Sequence, residues 1–246
     1  MSAKTVGFDR ELKLKWLDAT ADLILEGLTA NEILTRLSRI LEGELSDSGT
    51  RSAKGKTITV LLHIWVKVPD VAKPLRDDAI KLLHHMDSNR LVLHWGMCLA
   101  TYPFFVFVVE TVGRLVKLQG AFSSIHVQRR AIEKYGERET VFRAVNRTIQ
   151  SLIDWKVIKE TNEKRIFEVE KPLPIKNNFL MRWLIEAALI SNSKNSAHLK
   201  AIVNSPSLFP FNIEKANPRV IEESKRLEIF HHGLDEEIVI LRPMIP

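Results

Sequence analysis

Apolar residues along this chain recur mostly at spacings of three and four, the period of one helix face, and give way to short alternating stretches in only two places. Residues 9–28 form the first amphipathic run, with Leu12, Trp16, Leu23 and Ile24 among its inward positions and Gly27 as its stop. A second helix follows from Thr29 or Ala30, with Thr29 as cap and Ile33, Leu34, Leu37, Ile40 and Leu41 as its buried stripe. A polar stretch over 43–56 breaks the pattern. The next helix covers 57–67, is apolar at Ile58, Leu61, Leu62, Ile64 and Trp65, and is closed by Pro69. Another begins at Lys73-Pro74, where proline suits a first helical turn, and runs to Met86.

Residues 91–109 contain no Asp, Glu, Lys or Arg and meet the length of a membrane span. His94, Trp95, Gly96, Tyr102 and Pro103 interrupt them, which favours a buried helix broken at Tyr102-Pro103 and continuing to about Leu118. A transmembrane reading of 91–109 stays as the alternative.

The stretch 122–171 carries the chemistry. A short helix starts after Ser123 or Ser124 and stops at Tyr135-Gly136; after a tight turn a longer helix runs over 139–154, with Phe142, Val145, Ile149, Leu152 and Ile153 on its inner face. Arg143, Asn146, Arg147 and Gln150 lie on its opposite face. Arginine offers a donor fork to guanine or phosphate, and Asn and Gln pair with adenine edges, so these side chains suit a helix lying in a major groove. Polar outer faces are also what any solvated helix carries. Two alternating stretches follow, 157–161 and 165–170, joined by Asn162-Glu163-Lys164 as a turn. Helix, turn, helix, hairpin is the order of a winged helix-turn-helix, and the segment resembles that superfamily, which also includes modules used only for protein contacts. On this reading Arg138, Lys164 and Arg165 clamp the nucleic-acid backbone, and Arg129 and Arg130 of the preceding helix assist.

Beyond Pro172-Leu173-Pro174 the composition shifts. A helix over 178–190 with Phe179, Leu180, Trp183, Leu184 and Leu189 for packing is followed by a short helix over 197–203, another from Pro218 to Lys225, and a hairpin of 227–232 with 236–241. The order fits a second winged-helix-like unit, without a basic recognition face. The expected organisation is mainly α: a helical bundle over 1–118, a winged helix-turn-helix over 119–175, and an α+β region over 176–246.

The net charge of +6 and pI near 9.4 suit a polyanionic partner. One cysteine, Cys98, excludes an intramolecular disulfide, and the charged residues Lys4, Asp9, Arg10 and Glu11 are unlike a signal peptide, so a cytoplasmic location is expected. Three features invite enzyme readings. Gly49 to Thr57 ends in Gly-Lys-Thr, but five residues separate its first glycine from Gly55-Lys56 where a P-loop has four, and no strand precedes it. Arg51, Lys54 and Lys56 there suggest instead a second anion contact at a helix start. His84, His85 and His94 lack metal-ligand spacing; His231 and His232 with Asp235, Glu236 and Glu237 read as a solvated charge run before a metal-dependent nuclease site.

Taken together, a helical first half with an Arg/Thr/Lys-containing loop, a Trp-containing apolar helix with Tyr102-Pro103-Phe104, and the run Arg143 to Ile158 resemble BrxA of the BREX phage-exclusion systems over residues 9–160. The resemblance implies a non-enzymatic, DNA-associating defence protein that needs no cofactor. Double-stranded DNA is the expected partner, with other defence proteins beside it; the residue types alone leave RNA open. The competing expectations are an interaction scaffold whose helix contacts proteins and, third, a nucleotide- or metal-dependent enzyme.

Overall fold

The computed structural model describes residues 6–46, 52–84, 90–192, 195–213, 218–232 and 236–242. Its described part is mainly helical with small sheets. The first half holds α1 (Leu14–Leu25), α2 (Ala30–Ile40), α3 (Ala53–Trp65) and, after a single 3-10 turn at Asp70–Ala72, α4 (Lys73–Leu83). Thr29 caps α2 in a reciprocal box, its hydroxyl accepting from the Glu32 N–H while the Glu32 carboxylate accepts from the Thr29 N–H at 2.8 Å. The Thr29 hydroxyl also donates to the Glu32 carboxylate at 2.7 Å, and this bond, with the one from the Thr29 N–H, holds the Glu32 carboxyl below its usual range. Two residues of the expected stripe, Leu34 and Ile40, face solvent instead, because α2 packs through Ile33, Leu37 and Leu41 alone.

The helix α5 (Leu91–Thr101) is buried at every position except Ala100, with α3, α4 and residues 103–119 and 178–191 packed against it. Tyr102 adopts an extended conformation, Pro103 supplies a first turn without a donor, and α6 (Pro103–Gln119) leaves at 118° to α5. Among the described residues no single helix is long and apolar enough to cross a membrane; α5 and α6 pass that test together only as this bent pair. Burial in α5 pushes the Cys98 thiol up and away from reactivity. His94 is enclosed there too, its Nδ1 accepting from the Trp65 indole at 3.1 Å and its Nε2 lying 2.9 Å from Asp18. Since Trp65 only donates, Nε2 carries the proton toward Asp18. Burial holds this imidazole below the ordinary histidine range, with Asp18 pulling the other way. His94 thus bridges two segments in the core.

After Gly120 the chain forms β1 (Ala121–Ser123), α7 (Ser124–Tyr135), α8 (Glu139–Asp154), β2 (Ile158–Glu160) and β3 (Ile166–Val169), with a sheet ordered β1-β3-β2 and antiparallel throughout. Phe122 of β1 stacks on Phe167 of β3, with ring centroids 5.4 Å apart. The chain then gives β4 (Leu173–Pro174), α9 (Asn178–Ser191), β5 (Ser196–His198), α10 (Leu199–Val203), a second 3-10 turn at Pro206–Leu208, β6 (Phe211–Asn212), α11 (Pro218–Glu222), β7 (Leu227–His232) and β8 (Glu236–Leu241). Here the sheet order is β5-β8-β7. In both halves a helix leads into a short strand, two helices and a hairpin, and that strand pairs with the hairpin's second strand. The first two residues of the helix expected over 197–203 are thus strand, and β4 pairs with β6 in parallel, which the sequence did not suggest.

The C-terminal region shares the core of the first half. Gly96 of α5 lies where α9 crosses so closely that any Cβ would overlap the Trp183 ring, and Gly113 of α6 meets the Pro206 carbonyl in the same way. Each of the five tryptophans is buried, and each indole N–H finds an acceptor in another segment: Glu44 for Trp16, His94 for Trp65, Ser207 for Trp95, Leu12 for Trp155 and Leu75 for Trp183.

Candidate nucleic-acid interface

The helix α8 is two-faced because its sequence alternates the two chemistries at helical spacing. Val141, Ala144, Val145, Thr148, Ile149, Ser151 and Leu152 are buried, with Thr148 and Ser151 satisfying their hydroxyls on the Ala144 and Arg147 carbonyls one turn back. Phe142 and Ile153, expected inside, are only half buried. Arg143, Asn146 and Gln150 are exposed. Arg143 pairs with Glu139 one turn earlier on the helix, and the Asn146 Oδ1 accepts from Gln128 of α7 at 2.6 Å. Both contacts are at the surface, where such pairs are worth little and exchange readily for a stronger partner.

Arg147 departs from expectation. It is half buried, and its guanidinium donates to the Asp9 carbonyl at 3.0 Å. Burial, followed by the neighbouring Arg10, holds it below the ordinary arginine range. The cause is a segment that precedes α1 and runs along α8: the Leu12 N–H donates to Ser151 Oγ at 2.8 Å, the Leu14 N–H to Asp154 Oδ1 at 2.7 Å, and the Trp155 indole to the Leu12 carbonyl at 2.8 Å. Three of the four side chains stand clear; the fourth is shared with this strap. Ser151→Ala leaves the buried Leu12 N–H without its acceptor, so it is expected to lower stability by about 1–3 kcal/mol, read from a urea melt.

The flanking cations are spread around this face. Arg129 and Arg130 are exposed on α7, both close to Glu133 at 3.4 and 3.7 Å. Arg138 is half buried at the start of α8 and donates to the Tyr135 carbonyl at 3.0 Å. Lys164 and Arg165 are exposed at the tip joining β2 and β3, where Arg165 takes a left-handed φ of 64° and its N–H donates to the Glu160 carboxylate at 2.7 Å. Glu160, Glu163, Glu168 and Glu170 share this hairpin, and Lys159 is paired with Glu168 at 3.1 Å. Over residues 121–171 eleven Lys and Arg stand against eight Asp and Glu, so half of the chain's +6 falls on a fifth of its length.

The second expected anion contact lies at the start of α3. The helix α3 starts at Ala53, capped by Ser52 whose hydroxyl accepts from the Gly55 N–H at 3.0 Å, so Gly55-Lys56-Thr57 lies inside a helix and cannot wrap a phosphate as a loop. Lys54 is buried and Lys56 exposed, on different sides; Arg51 lies outside the described residues. So do His85, the His232 side chain and Asp235; His231 sits 3.4 Å from Glu222. Among the described residues no group of three or more His, Cys, Asp and Glu is placed to hold a metal ion. A cavity of about 810 Å³ opens at the α5–α6 bend, lined by His63, Tyr102, Glu110, Lys134 and Tyr135, away from the exposed face of α8.

Sequence reasoning missed Arg10 and the strap that carries it. Residues 9–13, read as the start of the first amphipathic helix, precede α1 instead, because their partners lie on α8, which no local spacing marks. Compared with family models, curated proteins and solved structures, the chain gives no match.

Proposed function

We propose that this chain is a non-enzymatic protein that binds double-stranded DNA, with β1 to β3 acting as a winged helix-turn-helix and α8 entering the major groove. The observation that carries the reading is the exposed row of Arg143, Asn146 and Gln150 on the last long helix before a hairpin. An α-helix fits the wide major groove of B-DNA and is kept out of the deep, narrow one of A-form RNA, so duplex DNA is favoured over duplex RNA. Lys164, Arg165, Arg138, Arg129 and Arg130 hold the backbone on either side. Bacterial phage defence of the BREX kind is the setting we propose for it, and the second helix–strand–helix–helix–hairpin unit supports a protein that spans more than one contact.

A second reading, a docking module for other proteins, draws on two observations. Leu118 and Ile125 are large apolar side chains exposed at 79% and 53% beside β1, and the hairpin carries four glutamates that oppose a phosphate backbone. Anisotropy with a fluorescent duplex separates the two. Arg143→Ala and Gln150→Ala are each expected to weaken binding by about 1–3 kcal/mol if they contact base edges. A phosphate contact by Arg143 instead lowers the salt slope by about 0.9, whereas neutral Gln150 leaves the slope alone. A wild-type protein without duplex affinity at about 0.1 M salt, unaltered by either change, hands the surface to the docking reading.

A further inference from the structure

The strap and α8 climb together: Asp9 meets Arg147, Leu12 meets Ser151 and Leu14 meets Asp154. Arg10 is therefore fixed by main-chain bonds on both sides of it, next to the carbonyl that holds Arg147. Its side chain is folded in, at 14% exposure, and its Nε is buried without a hydrogen-bond partner among the described residues. The nearby charge is the Asp9 carboxylate, 3.4 Å from Nε and 3.4 Å from Nη2, longer than the 2.7–2.9 Å of a strong charge-assisted bond. Arg147 and Arg10 both lie against Asp9, the first donating to its carbonyl at 3.0 Å and the second sitting beside its carboxylate, so the two side chains flank one residue of the strap. With a half-exposed and poorly aligned carboxylate as its neighbour, the Arg10 guanidinium keeps its Nε without a hydrogen bond among the described residues, beside Arg147. A tetrahedral oxyanion accepts from two such forks at once.

We infer that Arg10 and Arg147 form a seat for a backbone phosphate at the junction of the strap and α8, a sequence-independent contact beside the groove-facing Arg143, Asn146 and Gln150. The inference rests on the duplex-binding reading and adds Arg10 to it. The strap fixes where the duplex backbone runs; the exposed row of α8 then faces the bases.

The test compares wild-type protein with Arg10→Gln, Arg10→Lys and Arg147→Ala on a fluorescent 20-base-pair duplex across about 50–250 mM KCl, after circular dichroism has shown each to be folded. Arg10→Gln is expected to lower the slope of log K against log salt by about 0.9, the value of one lost phosphate contact. Arg10→Lys keeps the slope but binds less tightly, because an ammonium lacks the fork. Arg10→Gln with Arg147→Ala loses less affinity than the two single losses combined. An Arg10→Gln protein with the wild-type slope and affinity, while Arg143→Ala is weakened, overturns the seat and leaves the duplex reading standing. If the wild-type protein binds no duplex, that reading falls and the seat is judged with inorganic phosphate at constant ionic strength. A rise in wild-type melting temperature of about 2 °C that Arg10→Gln abolishes supports it; equal responses overturn it.

Discussion

Arg226→Ala is expected to destabilise the protein by about 3 kcal/mol, the lower end of what breaking a buried ion pair costs, because Arg226 itself keeps 27% of its surface. Its Nε and Nη2 fork onto the two oxygens of Glu186 on α9 at 2.7 and 2.9 Å, and Nη2 also reaches Asp78 of α4 at 2.6 Å. Glu186 is 3% exposed, so removing the arginine strands a carboxylate among α4, α9 and the start of β7. Burial already pushes the Glu186 carboxyl up, and Arg226 opposes that push. Without Arg226 the upward push is opposed only by the smaller effect of Arg182. A carboxyl that holds its proton more tightly in the folded state stabilises the fold below the unfolded carboxyl range, and loses that contribution as pH rises through the folded value. The deficit of Arg226→Ala should therefore be smaller at pH 5 than at pH 8 in urea melts, and adding Glu186→Gln should shrink it at pH 8. Equal deficits at both pH values would mean that the arginine acts through packing alone.

Gly96→Ala is the second large effect, expected near the upper end of over-packing, about 3 kcal/mol. The added methyl lands on the six-membered ring of Trp183 and 3.2 Å from the Ala187 Cβ. Trp183 is anchored where it stands, since its indole N–H is tied to the Leu75 carbonyl at 2.8 Å and the ring is buried between α4, α5 and α9. The strain separates α5 from α9, so the readout is a lowered urea midpoint with quenched-fluorescence changes at tryptophan. Gly96→Ala combined with Trp183→Leu recovers part of the loss if ring overlap is its cause. An unchanged midpoint in the single variant sinks the close-approach argument.

Local chemistry made much of this molecule readable before its coordinates. Ser123, Gly136 and the three-and-four spacing around Val145 mark α7 and α8, the Tyr102-Pro103 pair marks the bend, and Thr29 with Glu32 marks a cap. What stayed hidden depends on distant partners. Three-residue strands such as β1 and β5 have too few positions to show alternation, and they exist because β3 and β8 offer them an edge. Leu34 and Ile40 match the buried period of α2 but face solvent because, among the described residues, that helix packs through Ile33, Leu37 and Leu41. The start of α3 at Ala53 was masked by Gly55-Lys56, which looks like loop punctuation until Ser52 is seen as a cap. Within the candidate interface, Arg143, Asn146 and Gln150 were legible from helical spacing. The fate of Arg147 was not, because it is set by a main-chain carbonyl 138 residues away.

That separation has a consequence for how the chain is made. A ribosome adding about 5–20 residues per second delivers Ser151 roughly 7–28 s after Leu12, so the strap emerges long before its docking stripe exists. In that interval Leu12 has neither its hydroxyl acceptor nor its indole donor, and the closing of this edge is a late step of biosynthesis rather than an early one. Any molecule that reaches Ser151 and Trp155 first competes with the chain's own leading segment for them.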